Sequence, residues 1–332
     1  KLPIAAGSRK GTVPIHNSFF TMSRLGAVFR YFFIAFAVLL GGLYLYVVWS
    51  IRTRNPVGFW LLLGVALVGA WLAYRWLTAR VRRRRQILRQ PFPEGWRRIL
   101  EERVAFYRYL DAEERRRFER DVQLFLGEKQ VTGIGTEVDD VVRVLVAASA
   151  VIPVFGFPGW DYPNLQEVLI YPGAFSENFE QTGAERDLLG MVGDGAMNRM
   201  MILSKPALLA GFSAHNDGMN TGLHEFIHLL DASDGDYNGV PAHFLEQRYA
   251  KPWLELLDRE FERLRRGDSR LDPYGATNKE EFFAVAGEFF FERPALLKAD
   301  HPALYEALTQ LYRQDPFNRR LSGRAFREQR GE

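Results

Sequence analysis

Two stretches near the start of the chain carry no charged residue, Tyr31 to Ser50 and Val57 to Tyr74. Each approaches the roughly 20 apolar residues that cross a bilayer as a helix. Trp49, Trp60, Trp71, Tyr74 and Trp76 lie near their ends, where interfacial aromatics belong. Only Ile51 to Pro56 separates the runs, so the pattern predicts a transmembrane helical hairpin over residues 28–79. From Pro91 onward the pattern becomes that of a globular domain. Trp96, Leu100, Val104 and Tyr107 recur at helical spacing between Gly95 and Leu110. Asp111 to Glu114 reads as a capping box opening a second helix through Phe118, Val122 and Phe125. Thr136 to Ile152 is a third, strongly apolar helix. Val168–Tyr171 and Met200–Leu203 are short apolar runs between turn residues and read as strands. The polar, glycine-rich stretch Gly173 to Asn198 between them reads as a loop. Helices return at Lys251–Arg265, Lys279–Phe291 and Pro302–Tyr312.

The expected architecture is therefore α+β, a globular domain over residues 91–316 preceded by two transmembrane helices. Residues 1–27 read as a disordered N-terminal segment, 80–90 as a basic juxtamembrane linker and 317–332 as a polar tail with little to bury.

Charge changes the picture in one place. The formal net charge is only +3, but Arg80, Arg82, Arg83, Arg84, Arg85 and Arg89 form a dense block directly after the second apolar run. Its position favours a membrane-flanking role over nucleic-acid binding. With Arg24 and Arg30 before the first run and only Arg52 and Arg54 between the two, the asymmetry predicts both chain ends on the cytoplasmic side of the inner membrane. The chain has no cysteine, which excludes disulfides and thiolate metal sites and leaves histidine and carboxylate ligands.

The richest chemistry lies at His224-Glu225-Phe226-Ile227-His228. Two histidines four apart leave one helix face together, so both imidazoles can bind one Zn²⁺, with Glu225 beside them as a base for water. Asn220 or Thr221 is the expected N-cap, and Leu223, Phe226, Ile227 and Leu230 supply the apolar side.

A catalytic zinc normally has three protein ligands. Asp234 occupies the position a metzincin-type ligand would take, although Asp231 replaces the glycine that lets that chain turn back. His243 and His301 read as surface residues. The stronger candidate is the helix after Tyr274, on which Glu281 and Glu288 share one face among Phe282, Phe283, Phe289 and Phe290. Two carboxylates buried there without a partner are costly, and a cation beneath them removes that cost; the alternative is an ordinary solvated acidic stripe.

Several stretches together carry a family resemblance: Pro91–Trp96, Tyr162–Pro172, Asp217–Asn220, His224–Asp231 and Tyr274–Phe291. Over about residues 90–316 the chain resembles the Mlc titration factor A family of gluzincin-like zinc peptidases. The resemblance implies a zincin-like metallopeptidase domain over residues 91–316, with His224, His228 and Glu281 as zinc ligands and Tyr274 near the site. The apolar hairpin departs from the soluble members of that family. The expected function is a membrane-tethered zinc peptidase acting on a peptide or protein substrate. Glu225 would be its base and Tyr274 a hydrogen-bond donor to the oxyanion. Glu288 and Asp231 are candidates to fix histidine tautomers, and Met200–Leu203 is a candidate edge strand for pairing with substrate. The alternative is a zinc-holding regulatory protein that captures a cytoplasmic partner such as a transcriptional repressor.

Overall fold

The computed structural model describes residues 56–174, 190–192, 199–213, 218–234 and 247–322, with scattered positions at 41–52 and 239–241. The chain divides into two compact units, residues 1–82 and 83–332. The expectations for residues 1–27, for most of the loop 173–198, for His243 and for the end of the tail lie outside the described residues.

In the first unit, α1 (Pro56–Leu77) forms on the second apolar run. The expectation of two transmembrane helices is corrected here: among the described residues no helix is long and apolar enough to cross a membrane. Residues 31–50 are described only at scattered positions, so the pair of helices that a hairpin needs is not shown. The helix α1 has Arg75 in its last turn. After Thr78 the chain re-enters a helix, α2 (Ala79–Ile87), which carries Arg80, Arg82, Arg83, Arg84 and Arg85 of the arginine block.

The second unit is mostly helical with one small sheet, which corrects the balance expected of an α+β domain. Its first helical segment breaks where the apolar spacing predicted continuity. α3 (Glu94–Arg103) ends at Val104, which is extended, and the short α4 (Ala105–Arg108) follows. α5 (Ala112–Glu128) starts at the expected capping box, with Asp111 accepting from the backbone of Glu113 and Glu114. β1 (Gln130–Gly133) comes next, and then α6 (Asp140–Val154), capped by Asp139 and buried along almost its whole length. An all-round apolar helix of this kind is the central member of the core. The remaining elements are β2 (Glu167–Tyr171), β3 (Gly190–Val192), β4 (Met200–Ser204), α7 (Lys205–Gly211), α8 (Thr221–Asp231), α9 (Gln247–Arg265), α10 (Lys279–Glu292), α11 (Pro294–Asp300) and α12 (Pro302–Tyr312).

The sheet order is β1-β2-β4-β3, with β1, β2 and β4 parallel and β3 antiparallel to β4. Met200–Leu203 is therefore not an edge strand. β4 pairs with β2 on one side, Met201 opposite Val168, and with β3 on the other, Met201 opposite Val192. Both backbone edges of β4 are occupied, and among the described residues β3 ends the sheet.

Two glycines set the distance between helices at the centre of this unit. A Cβ on Gly287 of α10 would lie 2.6 Å from the Tyr312 hydroxyl and 2.7 Å from Cδ1 of Ile227 on α8. A Cβ on Gly222 of α8 would collide with the Ser149 hydroxyl of α6. Side chains at either position would push α8 away from a neighbour, so this helix is seated between α6 and α10 by close backbone approach.

The start of the tail is tied down. Arg320 donates to the Phe291 carbonyl at 2.7 Å, Arg319 pairs with Glu114 at 3.3 Å, and Phe317 packs against the core.

Candidate metal centre

α8 presents the two histidines as its sequence requires. Asn220 is the N-cap, its Oδ1 accepting from the Leu223 N–H at 3.1 Å. Leu223, Phe226, Ile227 and Leu230 are buried. With that face fixed, His224 and His228 fall one turn apart on the opposite side, their ring centroids 4.6 Å apart.

α10 brings the third group. Asn278 caps it, accepting from the Glu281 N–H at 2.7 Å, which fixes Glu281 in the first turn, where the helix dipole favours an anion. Oε2 of Glu281 lies 2.9 Å from Nε2 of His224 and 3.4 Å from Nε2 of His228, and the two Nε2 atoms are 3.0 Å apart. One ligand atom from each of His224, His228 and Glu281 lies within 4.8 Å of the others.

This donor set fits a divalent cation. Three atoms at about 2.1 Å from one tetrahedral ion are about 3.4 Å from one another, close to the separations seen. Two imidazole nitrogens and a carboxylate oxygen are turned toward one point, and each is an atom type that binds zinc. A metal satisfies all three at once.

The surrounding charges respond to this crowding. Burial opposes ionisation of Glu281, yet hydrogen bonds from His224 and His228 overcome it and hold the carboxyl well below its ordinary range. Burial disfavours a charged His224, but Glu288 and the hydrogen bonds to Glu281 and Glu288 raise its pKa well above the ordinary value. Glu225 is only 6 % exposed, and its burial pushes its pKa up against the pull of both histidines. Burial likewise raises Glu288, with His224 opposing.

Tyr274 stands at the mouth of this cluster. Its backbone is held in a 3-10 turn, Pro273–Ala276, by the N–H donated to Asp272 at 2.8 Å. Its side chain is 52 % exposed, with the ring centroid 6.1 Å from that of His224. Burial, followed by the Glu281 and Glu225 carboxylates, raises its phenol pKa.

Of the two residues expected to fix tautomers, Glu288 has Oε1 3.3 Å from Nδ1 of His224. Asp231 accepts the Gly239 N–H at 2.8 Å, which ties it to the segment that follows α8. The backbone at Asp234 is described, in a short 3-10 turn, but its side chain is outside the described set.

His301 corrects its expectation. It is 2 % exposed, not on the surface. Its Nδ1 meets Oε2 of Glu260 at 2.5 Å and its Nε2 meets the Ser269 hydroxyl at 3.0 Å. Sequence reading missed it because its partners lie on α9 and on the segment after α9, with no local spacing to reveal them.

The chain is similar to several known proteins. A profile of the family described as Glucose-regulated metallo-peptidase M90 matches residues 78–313. An uncharacterized protein of Synechocystis sp. is 32 % identical over 276 residues, covering 77 % of this chain and 95 % of that protein. Mlc titration factor A of Salmonella agona is 30 % identical over 227 residues, covering 63 % of this chain and 83 % of the relative. That of Salmonella arizonae is 29 % identical, covering 63 % and 87 %.

Proposed function

Since the chain belongs to the glucose-regulated metallo-peptidase M90 family, we propose that it is a zinc-dependent peptidase, with His224, His228 and Glu281 holding the metal. The observation that carries this reading is the convergence of three ligand atoms at mutual distances of 2.9, 3.0 and 3.4 Å. Zinc, when bound, supplies Lewis acidity and lowers the pKa of coordinated water toward ~7.

The protein's own groups carry the proton chemistry. Glu225 takes the proton of the attacking water on its carboxylate and gives it to the departing amine nitrogen. Its burial raises its pKa, which makes it a stronger proton acceptor than an exposed carboxylate. Tyr274, exposed at the mouth, donates a hydrogen bond to the carbonyl oxygen as negative charge develops there. The strand β3, packed near α8 and ending the described sheet, offers the backbone edge to which an extended peptide adds.

A second reading has one observation in its favour, the name of the Salmonella relatives, Mlc titration factor A. On that reading the site is part of a surface that captures a regulatory protein, and turnover is incidental. Glu225 separates the two, because a binding scaffold needs ligands but no base. The test is hydrolysis of a broad peptide library by the full chain, with and without chelator, beside the Glu225→Gln variant. The peptidase reading expects chelator-sensitive cleavage, lost by about 100-fold or more in Glu225→Gln while zinc stoichiometry stays at the wild-type level. Zinc-loaded wild type that cleaves nothing hands the site to the binding reading.

A further inference from the structure

Glu288 follows Glu281 by two turns along the same face of α10, so one helix brings two carboxylates to opposite sides of one imidazole. Oε2 of Glu281 is 2.9 Å from Nε2 of His224, and Oε1 of Glu288 is 3.3 Å from Nδ1 of the same ring. The two nitrogens of an imidazole point away from each other, so the ring is held at both ends.

A neutral imidazole has one N–H and one lone pair. For Nε2 to offer its lone pair to a metal, the proton must sit on Nδ1, and an acceptor facing Nδ1 favours that arrangement. Glu288 is that acceptor, and it is only 5 % exposed, so water does not compete freely for the bond.

Glu288 is also fastened to the helix it serves. Its Oε1 accepts the Asn220 N–H at 3.4 Å. The Asn220 side chain caps α8 through Leu223 N–H and donates through Nδ2 to the Gly211 carbonyl at 3.1 Å and to Oε1 of Glu292 at 3.4 Å. These bonds hold α10 to the start of α8 and so keep the acceptor in a fixed relation to the His224 backbone. Asp231, the other buried acid on this side, accepts from Gly239.

We propose that Glu288 is a positioning residue: it accepts the Nδ1–H of His224 and so fixes the tautomer and ring plane in which Nε2 faces the metal. The inference rests on the reading of His224 as a ligand, and it adds to that reading the residue that makes His224 a good one.

Two measurements on the full chain test it. The first is zinc affinity by competition with a chromophoric chelator. Glu288→Ala is expected to weaken binding by about 10- to 100-fold, the usual loss for an outer hydrogen-bond partner of a ligating histidine. Glu288→Gln keeps an acceptor oxygen and is expected to stay within about 3-fold of wild type. The second is the His224 Nδ1–H proton resonance in ¹⁵N-histidine-labelled protein, metal-free and zinc-loaded. It is expected to be protected from exchange in wild type and Glu288→Gln, and lost in Glu288→Ala. Wild type without a protected Nδ1–H overturns the proposal, and this result needs no variant to fold. So does Glu288→Ala with wild-type affinity, or Glu288→Gln as damaging as alanine. A wild type that binds no zinc but shows the protected proton would sink the peptidase reading while leaving the hydrogen bond in place. One that binds zinc and cleaves nothing leaves the positioning role intact.

Discussion

His301 gives both of its ring nitrogens to the protein, whereas His224 and His228 turn one nitrogen each toward the other. Around His301, Nδ1 goes to Glu260 and Nε2 to Ser269, whose hydroxyl also accepts the Leu271 N–H at 3.1 Å. Arg263 completes the group, donating to the Asp300 carbonyl at 2.9 Å and to the Asp268 carbonyl at 3.0 Å. Both ring nitrogens of His301 have separate partners, and the result ties α9 to the junction of α11 and α12. Around His224 and His228, the Nε2 atoms lie 3.0 Å apart with a carboxylate oxygen beside them, so three ligand atoms are turned to one point. Both clusters are histidine with glutamate, and both are largely buried. What separates a ligand set from a structural lock is direction: whether the lone pairs diverge to separate partners or converge on one point.

Removing the converging carboxylate breaks the comparison most severely. Glu281→Ala is expected to lower zinc affinity by more than about 100-fold, beyond the loss typical of an outer partner, and to abolish turnover. Zinc content of the purified protein checks it. Full zinc in Glu281→Ala, together with loss in Asp234→Ala, would move the third ligand to the metzincin-type position.

His301→Ala should do the reverse. It leaves Glu260 and Ser269 without their partner, at a cost of about 2–3 kcal/mol in stability. Zinc stoichiometry should be unchanged. Denaturant unfolding with a parallel metal assay reads both, and a zinc deficit in a folded His301→Ala would mean that the two clusters are coupled.

The lock also has a pH signature. Hydrogen bonding from His301 holds the Glu260 carboxyl below its ordinary value of 4.5, against a smaller opposing effect of burial. A carboxyl whose folded pKa is depressed binds protons more weakly folded than unfolded. Its contribution is therefore complete above about pH 4.5 and is lost as the pH falls through the depressed value. Glu260→Gln should accordingly be less stable than wild type by about 1–2 kcal/mol near neutrality, with the gap closing on acidification below pH 4.5. A gap that is constant down to strongly acidic pH would show that shape, not charge, is what Glu260 provides.

The sequence made one of these clusters readable and concealed the other. His224 and His228 are four apart on a capped helix, a purely local pattern, and Glu281 shows as an acid among phenylalanines on its own helix. His301 meets residues 41 and 32 positions away, so nothing near it in the chain marks it as buried. The same limit applies to the sheet. β4 read correctly as a strand, but its place in the interior depends on β3, three residues inside a polar, glycine-rich stretch that looked like a loop. The break at Val104 was hidden because apolar spacing runs straight across it, and no glycine or proline marks the stop. The apolar runs at 31–50 and 57–74 stand out by length, lack of charge and flanking aromatics, none of which fixes how many helices form on them.

The finest test of direction over charge is the neighbour of the third ligand. Glu280 and Glu281 are adjacent acids in the first turn of α10, so both gain the same benefit from the helix N-terminus, about 0.3–1 kcal/mol. They differ only in azimuth: successive residues leave an α-helix about 100° apart, so when Oε2 of Glu281 lies 2.9 Å from His224, Glu280 is turned off that line. Glu280→Ala should therefore cost about 0.5 kcal/mol of stability at most and leave zinc affinity and turnover within about 2-fold of wild type. If the centre simply drew a cation by its summed negative charge, removing either acid would weaken binding by a similar factor. Equal losses in Glu280→Ala and Glu281→Ala would thus favour an acidic patch over a coordinated site. A large loss in one and none in the other is what convergent lone pairs demand.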